Sequence, residues 1–405
     1  MELLQKLPSY VKTVMDHLEQ AGHRGYLVGG SLRDLLRGIT PHDYDMTTDA
    51  TPEEMQAIFA GFRTVTAGLK HGTLTVICEG QPIEVTTHRV DGTYADSRHP
   101  ESVSFTRRLQ EDLSRRDFTV NAMAWSPYTG LVDLFDGQGD LQRGVLRAVG
   151  DAATRFGEDA LRILRAFRFA SQLNFQIDPD TARGAREKAS GLANISVERI
   201  FAEYTRMLEG ENADYGIASL VETECAAYVF FEHTNALNAG TGVNFLPKDA
   251  ALRTAALLPT LTSDGALALS RRWHAPNAFG EALAAYLSAA GEPLPANEFE
   301  ARRFAVRYWK HFEGALLLRA ARGEDTENAL ALCRRVAKDG TAVELRRLAV
   351  NGRELQEGVG VLPRRTAALL ARLQELVWQT PERNKKAALL QAAREICEKE
   401  RDFCE

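Results

Sequence analysis

The hydrophobic pattern of this chain changes character once, near Asp151, and that change narrows the available folds more than any other feature. Before it, the short runs RGYLVGG, HDYDMT, TLTVICEG and PIEVTTHRV read as strands, being β-branched or aromatic and bounded by Gly, Pro and polar turns. Helical patterns alternate with them. After it strand signals almost vanish, and segments such as EDALRILRAFRFASQL and TAALLARLQELVWQ carry helical periodicity. The expected class is α+β: a mixed sheet with helices, followed by all-α domains. A chain of 405 residues exceeds one ordinary core, so about two to four domains are expected. Breaks rich in Gly, Pro and Asn at residues 238–249 and 291–298 are the expected junctions. No internal repeat or low-complexity tract argues for a solenoid or a disordered chain.

Composition removes further classes. No stretch approaches the roughly 20 uninterrupted apolar residues of a membrane span, and the first 22 residues mix acids into an amphipathic pattern that reads as a structural helix, not a signal peptide. A formal charge of −6 argues against bulk electrostatic adhesion to nucleic acid, so any RNA must meet local basic patches. The five cysteines (Cys78, Cys225, Cys333, Cys397, Cys404) form no CxxC pair, which fits a reduced, cytoplasmic setting.

Five constellations carry chemistry. In LVGGSLRDLLRG a strand, Gly29-Gly30 and a helix start follow one another, with Ser31 a candidate N-cap and Arg33 in the first turn. Backbone N–H groups there can receive a phosphate, and the alternative is a plain turn. Thirteen residues after Gly30, Asp43 and Asp45 flank Tyr44 in a strand-like run, which aims two carboxylates to one side about 6–7 Å apart. Two such acids repel unless a cation lies between them, so a divalent-metal site competes with a solvated turn. Asp49 reads as a helix-start residue ahead of Pro52. Glu84, in PIEVTTHRV, faces either the same metals or solvent. In RRDFTVNA, Arg116 and Asp117 stand before what reads as an apolar helix, placed to clamp a triphosphate and a ribose hydroxyl. Finally, residues 158–170 read as one helix buried around most of its girth, whose charges are Asp159, Arg162, Arg165 and Arg168. A three-residue step drifts about 60° round the helix, so Asp159 and Arg162 share a face and Arg168 lies nearly opposite. Pairing with Glu158 and Asp159 would satisfy only some of the three guanidiniums.

In order and spacing, GGSLRD, DYD, RRDFTVNA and EDALRILR resemble the class II CCA-adding enzymes and bacterial poly(A) polymerases, of the polymerase-β-like nucleotidyltransferase superfamily. ISVERIFAE, residues 195–203, resembles the family's last helix motif. The resemblance implies a nucleotidyltransferase head at 1–145, a nucleotide-selecting helical neck at 146–205, a helical body at 206–300 and a tRNA-binding helical tail at 301–405. It implies that Asp43 and Asp45 hold two Mg2+ ions, with Glu84 the third catalytic carboxylate. Gly30, Arg33, Arg116 and Asp117 would meet the triphosphate and ribose, and Asp159, Arg162, Arg165 and Arg168 the base. The implied reaction adds CCA to the 3′ end of tRNA from CTP and ATP without a nucleic-acid template, releasing pyrophosphate. A carboxylate only accepts and a guanidinium only donates, so such a pair matches the amino-and-ring-nitrogen edge shared by cytosine and adenine and leaves groups unpaired against uracil and guanine. Residues 91–100 resemble the flexible loop of full CCA-adding enzymes. Arg364, Arg365, Arg383, Lys385 and Lys386 are candidate tRNA phosphate contacts, or a solvated helix face. No histidine-aspartate phosphohydrolase signature follows the neck, so a single activity is expected. The rivals are a bacterial poly(A) polymerase, an enzyme adding only CC or only A, and a non-catalytic tRNA-binding protein.

Overall fold

The computed structural model describes residues 2–91, 103–239 and 242–400. The chain divides into two compact units, 1–235 and 236–405. Unit one opens with α1 (Glu2–Lys6) and α2 (Ser9–Gln20), whose buried Val11, Val14, Met15 and Leu18 recur at helical spacing and give one apolar stripe. Then come β1 (Gly25–Val28), α3 (Gly29–Leu36), β2 (Asp45–Thr48), α4 (Pro52–Ile58), β3 (Arg63–Val65), β4 (Thr73–Cys78), β5 (Gln81–Thr87) and the hairpin strands β6 (Arg89–Asp91) and β7 (Val103–Phe105). They are followed by α5 (Leu109–Ser114), a 3₁₀ turn at Thr119–Asn121, β8 (Met123–Ser126), β9 (Gly130–Asp133) and α6 (Gly137–Arg143).

Seven strands form one sheet in the order β3-β4-β5-β2-β1-β8-β9, antiparallel throughout except between β2 and β5. Strand alternation sorts its two faces. Leu27, Met46, Leu74, Val76, Ile83 and Val85 pack with Val11, Val14, Met15 and Leu18 of α2, Leu32 and Leu35 of α3 and Met55 of α4 in the main core. The residues between them, Tyr26, Val28, Asp45, Thr47 and Glu84, therefore turn to the opposite face, where Tyr26 and Val28 meet Leu113 and Ala124. The parallel pairing sets Asp45 level with Glu84.

The helical part of unit one comprises α7 (Ala152–Glu158), α8 (Leu161–Leu173), α9 (Pro179–Glu187), α10 (Val197–Leu208), α11 (Ala213–Glu222) and α12 (Ala226–Phe230), with only the two-residue pair β10 (Val145–Leu146) and β11 (Gln176–Ile177) as strand. α8 packs on α10 and α11 and is buried on nearly all sides. Unit two is helical among its described residues, and part of it is built round Val343, Leu355, Leu369, Leu373, Val377 and Leu389. The expected α+β organisation, with helices after a mixed sheet, is what the chain adopts.

Several local readings are corrected. Ser31 is not an N-cap: it lies within α3, and its hydroxyl donates to Val28 O at 2.8 Å. Asp49 does not start α4. Thr51 does, in a reciprocal capping box with Glu54 and with Pro52 in the first turn, while Asp49 accepts from Arg24 N at 2.9 Å. RRDFTVNA leads into a 3₁₀ turn and a fully buried strand, not an apolar helix, because the apolar run is held by pairing with β1. Residues 158–170 are two helices, broken at Asp159, whose backbone is extended (φ −141°, ψ 105°). No helix among the described residues is long and apolar enough to cross a membrane.

Candidate active site

β2 begins at Asp45, and Asp43 stands in the bend before it. The strand reading therefore fails for Asp43, which is exposed, while Tyr44 is buried and Asp45 half-buried. Burial first, then the neighbouring charges of Asp43 and Glu84, push the Asp45 carboxyl up to about 6 against the opposing pull of Arg116. Asp43, Asp45, Glu84 and Arg116 are thus electrostatic neighbours, from a bend, two parallel strands and the end of α5. Glu84 is exposed. Among the described residues no three His, Cys, Asp or Glu side chains stand in ion-holding geometry.

The strand-to-helix turn closes this corner. Gly29 takes φ +68°, and a Cβ placed there would lie 3.4 Å from Arg116 Nη1 and 3.9 Å from Asp45 Oδ2. Only glycine combines that backbone with the close approach. Gly30 faces Arg33, whose Nη2 would be 3.5 Å from its Cβ. Arg33 is buried and donates to Asn121 Oδ1 at 2.9 Å; Asn121 Nδ2 donates to Asp117 Oδ1 at 3.2 Å. Asp117 Oδ2 in turn takes Arg165 Nε at 2.9 Å and Nη2 at 2.5 Å. Burial pushes the Asp117 carboxyl up, but the Arg165 charge and the hydrogen bonds from Arg165, Asn121 and Phe118 N outweigh it and hold it at about 2.

All three guanidiniums of α8 are paired, two of them by distant segments. Arg162 Nη1 bonds Glu158 Oε2 at 2.5 Å, and its Nη2 donates to Arg115 O at 3.1 Å. Arg165 uses Asp117, and Arg168 lies 3.0 Å from Glu203 Oε2 of α10, an ion pair without hydrogen-bond geometry. Three guanidinium carbons surround the Phe169 ring, those of Arg33, Arg165 and Arg168 at 5.3, 5.2 and 4.1 Å from its centroid. Burial pushes Arg168 down to about 10 although Glu203 opposes it. Asp159, at the helix break, accepts from Leu161 N at 3.0 Å through Oδ1. The structure therefore brings Asp43, Asp45, Glu84 and Arg116 together at one corner, and links Arg33, Asp117 and Arg165 through Asn121.

Sequence reading missed Asn121, Phe169 and Asp112. Asp112 is fully buried; Arg115 Nη2 reaches it at 2.7 Å and Arg116 Nη2 at 3.1 Å. Burial alone would push it up, yet Arg116 and Arg115 hold it at about 2. Its signal lay in EDLSRR, an acid three and four residues ahead of two arginines, the spacing of helix neighbours. Residues 92–100 of the loop and Cys404 lie outside the described residues. Arg364, Arg365, Arg383, Lys385 and Lys386 are exposed, and Lys386 pairs with Glu354 at 2.6 Å.

A mixed sheet with acids on one face and a basic network beside them, continued by helices, defines the class as a nucleotidyltransferase of polymerase-β-like architecture. Residues 25–147 match the poly A polymerase head domain, and residues 174–237 match the probable RNA and SrmB-binding site of polymerase A. The CCA-adding enzyme of Limosilactobacillus fermentum is 46% identical over 213 residues, an alignment that spans 53% of either protein, so the chain spans about half the length of the first curated relatives it matches. That of Lactococcus lactis subsp. cremoris is 35% identical across 98% of this chain and 100% of its own. The Bacillus stearothermophilus CCA-adding enzyme, solved in complex with CTP, superposes with a TM-score of 0.81 at 31% identity, covering 97% of this chain and 98% of that one. The chain belongs to the CCA-adding enzyme family.

Proposed function

We propose that this protein builds the CCA 3′ end of tRNA from CTP and ATP, by nucleotidyl transfer without a nucleic-acid template and with release of pyrophosphate. The observation that carries the reading is the Asp45 corner of this family member, where the charges of Asp43 and Glu84 act on Asp45 beside Arg116 and the Gly29 turn. Their mutual repulsion fits a divalent cation, and an all-oxygen donor set suits magnesium. Asp43 and Asp45 would hold two such ions, with Glu84 beside them. Bound there, the ions supply Lewis-acid stabilisation of the attacking and leaving oxygens.

The remaining roles belong to side chains of this chain. Arg116, Arg33 and the α3 start at Gly30 bind the triphosphate. Asp117 already accepts four hydrogen bonds, as many as its lone pairs allow. It would hold Arg165 in place, and a ribose hydroxyl would have to displace one donor. Asp159 and Arg162 read the base edge, with Arg165 and Arg168 around them. The head at 1–145, neck at 146–205, body at 206–300 and tail at 301–405 divide these tasks, the tail binding the tRNA, which the enzyme meets at its 3′ end and acceptor arm. Buried thiols at Cys78, Cys225 and Cys333 suit a reduced, cytoplasmic setting.

The test is direct. Purified protein is given tRNA lacking its CCA end, with each labelled nucleotide singly and together, and the product ends are sequenced. Ends stopping at C, C and A support the reading. Long adenylate tails on a generic RNA would make it a poly(A) polymerase, arrest after CC or addition of A alone a partial enzyme, and no extension a tRNA-binding protein.

A further inference from the structure

ISVERIFAE forms the start of α10, with Ile195 and Ser196 just ahead of the helix. Arg199 and Glu203 are four residues apart and share one helix face. They reach two charged groups of the preceding helices: Arg199 Nη2 lies 3.5 Å from Asp159 Oδ2, and Glu203 Oε2 lies 3.0 Å from Arg168 Nε. The second is a buried pair that fastens α10 to α8. The first differs in two respects.

Asp159 is the residue at which the α7–α8 helix breaks, in extended backbone between the two helices. Its Oδ1 is tied to Leu161 N, which leaves Oδ2 to be oriented by something else. At 3.5 Å, Arg199 is beyond the roughly 2.7–2.9 Å of a charge-assisted hydrogen bond. It attracts Oδ2 without filling that oxygen's lone pairs.

We infer that Arg199 is a positioning residue that orients the Asp159 carboxylate for base selection. The inference rests on the reading of Asp159 as a base-reading group. Two anchors on one carboxylate, a backbone N–H on Oδ1 and a guanidinium drawing Oδ2, set the plane in which it accepts from a base amino group. With one anchor it can swing about its terminal torsion, and the donor and acceptor pattern set with Arg162 blurs.

Arg199→Gln, Arg199→Lys, Asp159→Asn and the Arg199→Gln/Asp159→Asn double variant test this. For each, kcat/KM is measured with CTP, ATP, UTP and GTP on tRNA lacking CCA or ending in CC, alongside a thermal melt. Arg199→Gln is expected to raise UTP use relative to CTP about tenfold, while kcat for CTP falls less than about threefold. Arg199→Lys, which keeps the charge, should restore most of the discrimination. In the Asp159→Asn background the Arg199→Gln change should add less than about twofold, because the group it positions is already altered. Collapse of the fold, equal slowing of all four nucleotides, or effects that multiply in the double variant overturns the inference. Unchanged discrimination in Asp159→Asn alone instead overturns the base-reading assignment on which it rests.

Discussion

Asp45 is crowded by two acids and relieved by one guanidinium, and its surroundings separate function from stability. Replacing Asp43 or Asp45 by Ala is expected to cut CTP incorporation at least about 10³-fold, because charge stabilisation of the transition state is lost and little packing goes with it. D45N, which removes a repelling charge, should melt no lower than the parent in metal-free buffer. Single-turnover incorporation and a thermal melt check both. Near-normal addition by D43A and D45A together would sink the carboxylate assignment. Gly29 makes a second point at this scale. Gly29→Ala strains a backbone at φ +68° by about 1 kcal/mol and sets a methyl 3.4 Å from Arg116 Nη1. KM for both nucleotides should rise together, with base choice untouched. Asp159→Asn or Arg162→Gln should do the reverse, raising UTP or GTP use relative to CTP and ATP, whereas a uniform loss would make them structural.

Among the elements, α8 is held by ion pairs as well as by its apolar side chains. Glu203→Ala leaves Arg168, 8% exposed, without its counter-ion and should cost about 3–5 kcal/mol in urea unfolding. Thr51→Ala, which removes one capping box on α4, should cost about 1 kcal/mol. The Asp117–Arg165 link between α8 and the RRD segment carries a pH signature. Asp117 is held at about 2, below its ordinary 3.8, so the folded state favours the ionised form. That contribution, roughly 2 kcal/mol, is complete above pH about 4 and is lost as pH falls towards 2. In Arg165→Gln this acid-sensitive component should disappear, as urea midpoints at pH 7, 4 and 2.5 would show. An unchanged pH dependence would mean that Arg165 does not hold Asp117.

At the scale of the whole molecule, every proposed catalytic and nucleotide-binding residue lies in unit one, and unit two carries a core of its own. A fragment ending at residue 235 is therefore expected to bind CTP and ATP about as tightly as the full chain while losing most of its affinity for tRNA. Equilibrium binding of each ligand to both proteins decides this. Equal tRNA affinity would remove the proposed role of the tail. The same scale shows what could be read from the sequence. The α+β order, the glycine turn after β1 and the buried girth of α8 are local patterns, set by backbone periodicity within a few residues. The helix break at Asp159 escaped that reading, because the apolar spacing runs straight through it. So did the parallel register that sets Asp45 beside Glu84, and the choice of Asp117 and Glu203 as partners for Arg165 and Arg168. These contacts join segments tens of residues apart, and an acid or an arginine has the same local pattern whichever partner it meets. Periodicity decided which face Arg162, Arg165 and Arg168 would occupy within α8, but only the packing of α8 on the head and on α10 decided which charge each would find there.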